Sequence, residues 1–141
     1  MKTKRKNVMG ILAMVLIVVL LVGCASKSKD SADESATNGY KQITQEEAAK
    51  MMEENSDVII LDVRTQAEYS EGHIPNAICV PNEEIVDAQP AEIPDLDQVI
   101  LVYCRSGNRS KQASQKLADM GYTNIYEFGG IKDWTGDVVT D

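Results

Sequence analysis

The sequence is poor in metal ligands. It holds one histidine, His73, and three cysteines, Cys24, Cys79 and Cys104, with no Cys-x-x-Cys pair and no Cys/His spacing suited to zinc. A structural metal site is not expected, and no cofactor is called for. Positive charge is also short. The formal net charge is −8, and four cations, Lys2, Lys4, Arg5 and Lys6, sit together at the N-terminus; −8 less those four leaves −12 on the rest. A chain this acidic repels phosphate backbones, which excludes general nucleic-acid binding. Long hydrophobic runs are absent save one, Val8 to Val22, and that one is shorter than the ~20 residues a membrane-spanning helix needs. There is no internal repeat.

The N-terminus reads as an address. A basic segment is followed by the apolar run and then by Leu21-Val22-Gly23-Cys24, the order of a secretory signal. Its end resembles the lipobox of bacterial lipoproteins. That resemblance implies a signal peptide over 1–23, acylation of Cys24 and an extracytoplasmic domain anchored to the membrane. An uncleaved anchor helix is the alternative, and it puts the domain on the same side, because the positive flank stays in the cytoplasm. Residues 25–39 contain no large apolar side chain. They are expected to form, with Cys24, a flexible tether over 24–39.

With 43% hydrophobic residues overall, the remaining ~100 residues can bury a modest core. One domain is expected over 40–141. Tyr40 to Ile43 reads as a strand, and Thr44-Gln45-Glu46-Glu47 as a capping box that opens a helix to about Glu54, with Ala48, Met51 and Met52 on its apolar face. The run Val58-Ile59-Ile60-Leu61 suits a parallel strand buried on both faces. Gln66 to Tyr69 reads as a short helix, Ala77 to Val80 as a strand, Asn82 to Val86 as the start of another helix, and Pro90 to Pro94 as a loop. Val99 to Tyr103 is the strongest strand. A helix from about Ser110 to Met120 follows, with Gly121 as its C-cap, then a strand from Ile125 to Phe128 and a turn around Trp134. Strands that alternate with helices give an α/β class with a mainly parallel sheet.

Chemistry concentrates in Cys104-Arg105-Ser106-Gly107-Asn108-Arg109-Ser110. A cysteine stands at the carboxyl end of a buried strand, where open α/β sheets place their sites. The loop after it can curl backbone N–H groups around one atom, and the next helix adds the partial positive charge of its N-terminus. Arg105 and Arg109 add full charges. All of these favour the thiolate of Cys104, and the same cradle would stabilise a persulfide. A buried structural cysteine beside a solvated loop is the bland alternative; it has no use for two arginines and a glycine loop.

The domain resembles the rhodanese family of single-domain sulfurtransferases. The likeness rests on Leu61-Asp62-Val63-Arg64, Glu68-Tyr69, Gly72-His73-Ile74-Pro75-Asn76-Ala77, the Cys104 loop, and Gly129-Gly130-Ile131 with Trp134. It implies a five-stranded sheet flanked by helices, with Cys104 as catalytic residue and Arg105, Ser106, Gly107, Asn108 and Arg109 as the substrate-binding loop. It also implies transfer of sulfane sulfur from a small anionic donor such as thiosulfate to cyanide or a thiol. Asp62 and Arg64 are expected to support the site as scaffold, with direct substrate contact as the alternative, and Arg64 and Glu68, four apart, to pair if a helical turn lies between them. His73, in its Gly-His-Ile-Pro turn, is expected to have a structural hydrogen-bonding role, with a general base as the alternative; sulfur transfer from a thiolate needs no strong base. Cys79, between Ile78 and Val80, reads as a small core residue, with a resolving partner for Cys104 as the alternative.

Three other functions compete. Phosphatases of the related cysteine-loop type have a loop one residue longer and usually a histidine before the cysteine; here four residues separate Cys104 from Arg109, and Tyr103 precedes the cysteine. A non-enzymatic adaptor would not need the intact loop. A sulfur-relay or thiol-redox module that acts on a protein partner is not separated by sequence from small-molecule turnover.

Overall fold

The computed structural model describes residues 36–37 and 39–140. The signal segment, Cys24 and the first part of the expected tether therefore lie outside the described residues. Six strands form one sheet: β1 (Ala36–Thr37), β2 (Tyr40–Gln42), β3 (Ile59–Asp62), β4 (Ala77–Cys79), β5 (Val99–Cys104) and β6 (Asn124–Gly130), in the order β1-β2-β6-β5-β3-β4. β2 to β6 are the five parallel strands, and β1 turns back antiparallel onto β2 at the edge. Two residues of the expected tether thus join the sheet. Sequence missed them because a two-residue edge strand needs no apolar side chain, only backbone pairing.

Helices cover both faces, as parallel sheets require. Three of them matter here: α1 (Gln45–Glu54), α2 (Gln66–Glu71) and α3 (Asn108–Asp119). Thr44 closes the expected capping box on α1, its hydroxyl accepting from the Glu47 N–H while the Glu47 carboxylate accepts from the Thr44 N–H. Thr65 and Glu68 form a second such box on α2. Successive residues of β5 alternate between two cores. Ile100, Val102 and Cys104 face α3, with Leu61, Ala113, Leu117 and Ile125; Leu101 and Tyr103 face α1, with Ala48, Ile60 and Phe128. Met51, Met52 and Trp134 pack against the second group.

Three expectations change. Asn82 to Val86 is a turn closed by the Glu84 N–H on the Pro81 carbonyl, not a helix. Ile85 is fully buried and Asn82 nearly so, and the Asn82 carbonyl and side chain accept from Lys116 Nζ at 2.7 and 3.1 Å; that anchorage to α3 replaces helical hydrogen bonds. α3 starts at Asn108, two residues before the expected Ser110, so the second half of the cysteine loop is already its first turn. Arg64 does not pair with Glu68. It folds back onto Asp62 across distances of 2.6 to 3.0 Å and donates to the Gly72 carbonyl at 2.7 Å, because its place at the end of β3 points it into the sheet end rather than along α2.

Candidate active site

β5 ends at Cys104, whose side chain is 1% exposed. The chain then turns through Arg105 and Ser106, both exposed, and enters α3 at Gly107, which caps the helix with φ +97°. This left-handed conformation is open to glycine at little cost. It aims the Gly107 N–H at Cys104 Sγ, 3.1 Å away. Ser110, on the first turn of α3, brings its Oγ to 3.5 Å from the same sulfur. Burial alone would raise the thiol pKa. The Ser110 hydroxyl and the backbone N–H groups of Ser110, Ser106 and Gly107 outweigh it and hold Cys104 below the ordinary thiol value.

The loop is clamped from two sides. Arg109 donates to both carboxylate oxygens of Glu68, at 2.7 and 2.8 Å. Glu68 also caps α2, so one side chain ties α2 to α3. The Arg109 guanidinium first, against a smaller opposing effect of burial, with Thr65 adding to it, holds the Glu68 carboxyl down to about 2. On the other side β6 presses against the loop backbone. The Arg105 carbonyl accepts from the Lys132 N–H at 3.2 Å, and the Gly130 carbonyl from Gln45 Nε2 at 2.9 Å. A methyl group on Gly130 would lie 2.2 Å from the Arg105 carbonyl oxygen; only a bare backbone fits there.

The structure distributes the sequence-predicted site residues in four ways. Cys104, Gly107 and Arg109 build the cradle, while Arg105, Ser106 and Asn108 are exposed on its rim. Arg105 makes no side-chain hydrogen bond or ion pair with any described residue and is available to an incoming anion. Asp62 and Arg64 form a buried pair on the neighbouring strand end, 0% and 6% exposed. Cys24 is outside the described residues. His73 is buried, stacks on Tyr69 with ring centroids 3.7 Å apart, and contacts the Tyr69 carbonyl through Nδ1 at 3.0 Å.

Sequence reasoning passed over Ser110 as more than a helix start and missed Glu127. Ser110 Oγ donates to Glu127 Oε1 at 2.6 Å, and the Gly129 N–H donates to the same oxygen at 2.9 Å. Glu127 is 3% exposed. The signal was in the alternation of β6: Ile125 and Glu127 share the inward face, so an acidic residue stands where an apolar one belongs.

Cys79 lies apart. Asp62 pairs with both Cys79 and Tyr103, so Cys79 shares the face of Tyr103 and Cys104 looks the other way. β3 separates β4 from β5, which puts the two cysteine Cα atoms about 10 Å apart, beyond the ~7 Å limit for a disulfide. Burial first, and then the Asp62 charge, push the Cys79 thiol up to about 11. Cys79→Ala is therefore expected to keep the reactivity of the Cys104 loop and to lower stability by about 1–2 kcal/mol. Denaturant titration and alkylation kinetics check this; loss of Cys104 reactivity with the fold intact would contradict it.

The rhodanese-like domain family matches residues 44–137. The chain belongs to that family. Among similar rhodanese-like proteins, the thiosulfate sulfurtransferase PspE of Escherichia coli strain K12 is 37% identical over 73 residues, 52% of this chain and 70% of its own length. The thiosulfate sulfurtransferase GlpE of Coxiella burnetii is 34% identical over 96 residues, 67% of this chain and 87% of its own. A solved structure of a rhodanese with anions from E. coli superposes with a TM-score of 0.54 at 34% identity, over 59% of this chain and 98% of that one. Homology to named thiosulfate sulfurtransferases supports a sulfurtransferase function for this single rhodanese-like domain.

Proposed function

We propose that the protein moves sulfane sulfur from a small anionic donor such as thiosulfate to a thiol or cyanide, by way of a persulfide on Cys104. The observation that carries this reading is the geometry at Sγ: a buried thiol of lowered pKa at a strand end, with the Gly107 N–H at 3.1 Å. The thiolate attacks the outer sulfur of the donor, the bond to the sulfonate sulfur breaks, and sulfite leaves with the electron pair. The outer sulfur stays on Cys104 as an anion until an acceptor removes it. Each half-reaction needs a nucleophile and a stabilised anion at one place, and the same donors serve both. Turnover of thiosulfate with cyanide should follow ping-pong kinetics, while an aryl phosphate should not be hydrolysed. Substantial phosphatase activity would sink the proposal.

Thiosulfate must approach a protein of net charge −8, and Arg105 is the exposed cation at the loop. Arg105→Ala should raise KM for thiosulfate by about tenfold and change kcat far less, about the effect of losing one charge-assisted contact of some 1.4 kcal/mol. A neutral sulfur donor should be affected little. Equal losses with both donors would remove the steering role.

The proposed site of action is outside the cytoplasm, at the end of a lipid on Cys24. The order of basic segment, apolar run and Cys24 supports this. Cys24→Ser should leave the precursor unprocessed or release the protein from the membrane, as read by fractionation and the mass of the chain. A variant that is fully processed and still membrane-bound would contradict the anchor.

A further inference from the structure

Ser110 has one hydroxyl proton and two neighbours that can use it. Its Oγ lies 2.6 Å from Glu127 Oε1 and 3.5 Å from Cys104 Sγ. The three side chains are buried, at 0%, 3% and 1% exposure for Ser110, Glu127 and Cys104. The Gly129 carbonyl, 3.4 Å from Ser110 Oγ, is a poorer acceptor. No cation pairs with Glu127 among the described residues. Its hydrogen-bond donors are this hydroxyl and the Gly129 N–H, and a buried carboxylate so thinly partnered is costly.

Two arrangements satisfy these contacts. In one, Ser110 donates to the Glu127 carboxylate, and Cys104, as a thiol, donates to Ser110 Oγ. In the other, Glu127 is the carboxylic acid and donates to Ser110 Oγ, which turns its own hydrogen to the Cys104 thiolate. Both hold the same atoms, protons and total charge. We propose that Glu127 stores the proton of Cys104, passed through Ser110, so that the thiolate forms with no change of charge in the buried site. The S–H bond breaks with its electron pair left on sulfur, that proton joins Ser110 Oγ, and the Ser110 proton joins Glu127 Oε1. Glu127 touches no reacting atom; it is a positioning residue that acts through Ser110. While the pair shares one proton and Cys104 carries the negative charge, as thiolate or as persulfide, that proton is on Glu127.

The groups around this couple are few. α3 presents Ser110 and Arg109, β5 presents Cys104, and on β2, the other strand beside β6, Gln42 is the register partner of Glu127. Arg109, bound to Glu68, is the cation whose charge interacts with that of Cys104. None of these can take the Cys104 proton, because arginine is already charged and glutamine does not titrate.

The proposal deepens the reading of Cys104 as the sulfur carrier, and its test uses the free, full-length protein with no sulfur donor, so either can fail alone. Far-ultraviolet thiolate absorbance is followed against pH, referenced to Cys104→Ser to remove the other cysteines. Two sites that share a proton titrate together, so the native thiolate should rise in two steps. Glu127→Gln and Ser110→Ala should lose the lower step and rise in one. A single native step that Glu127→Gln leaves unchanged would overturn the proposal. A second measurement does not depend on those variants folding. Difference infrared spectra should show a buried carboxylic-acid C=O band in the native protein that is absent in Cys104→Ser. Its absence from the native protein, or its persistence in Cys104→Ser, would overturn the proposal as well.

Discussion

Replacing Cys104 by serine should abolish sulfur transfer and leave the fold intact. The hydroxyl is smaller than the thiol, sits in the same pocket and can still accept from the Gly107 N–H, so stability should change by no more than about 1 kcal/mol. It does not ionise near neutral pH and cannot hold a sulfane sulfur, so the first half-reaction has no nucleophile. No second cysteine in the domain replaces it. Cys79 faces the opposite side of the sheet, and its thiol is pushed up to about 11 by burial and by Asp62. Thiosulfate–cyanide turnover, with circular dichroism as the control for folding, checks the expectation. Retained turnover would move the chemistry to another residue.

The second large effect is expected at Gly130, which holds no reactive group. Gly130→Ala places a methyl 2.2 Å from the Arg105 carbonyl oxygen and 2.5 Å from Ser106 Cα. Both are backbone atoms of the cysteine loop and cannot swing aside as a flexible side chain would. Either β6 retreats or the loop does, and each breaks contacts that fix the loop, the Lys132 N–H on Arg105 among them. Stability should fall by about 3 kcal/mol, the upper range for overpacking. The activity that remains in the folded fraction should fall further, because the N–H groups around Sγ lose their aim. Chemical denaturation together with the alkylation rate of Cys104 separates the two losses. A variant of native stability with unchanged alkylation would show that the close approach of β6 is not required.

Much of this architecture is local in origin, and that part is legible in the chain. The apolar runs around Ile60 and Leu101 mark the central strands, and Thr44 with Glu47 marks the start of α1 by a contact three residues long. Thr65 and Glu68 carry the same capping signature for α2, also three residues long. The cysteine loop is readable because its glycine, its arginines and the following helix are contiguous. The remainder depends on partners brought together by the fold. Glu68 meets Arg109 across 41 residues, and nothing local distinguishes that partner from Arg64, four residues away. Glu127 meets Ser110 across 17 residues, a contact that exists only because α3 packs against β6. Asn82 to Val86 has helix-forming composition, but Lys116 holds it as a turn. Each departure follows from tertiary contacts that outweigh a local preference.

The central claim, that Cys104 carries the sulfur, is tested most directly by mass spectrometry of the purified protein after exposure to thiosulfate and removal of excess donor. The protein should gain ~32 Da, the mass of one sulfur atom added by thiolate attack on a sulfane sulfur. Peptide mapping should place that mass on Cys104, and cyanide should remove it. No mass gain, or a gain mapped to Cys79 with Cys104 unmodified, would contradict the account.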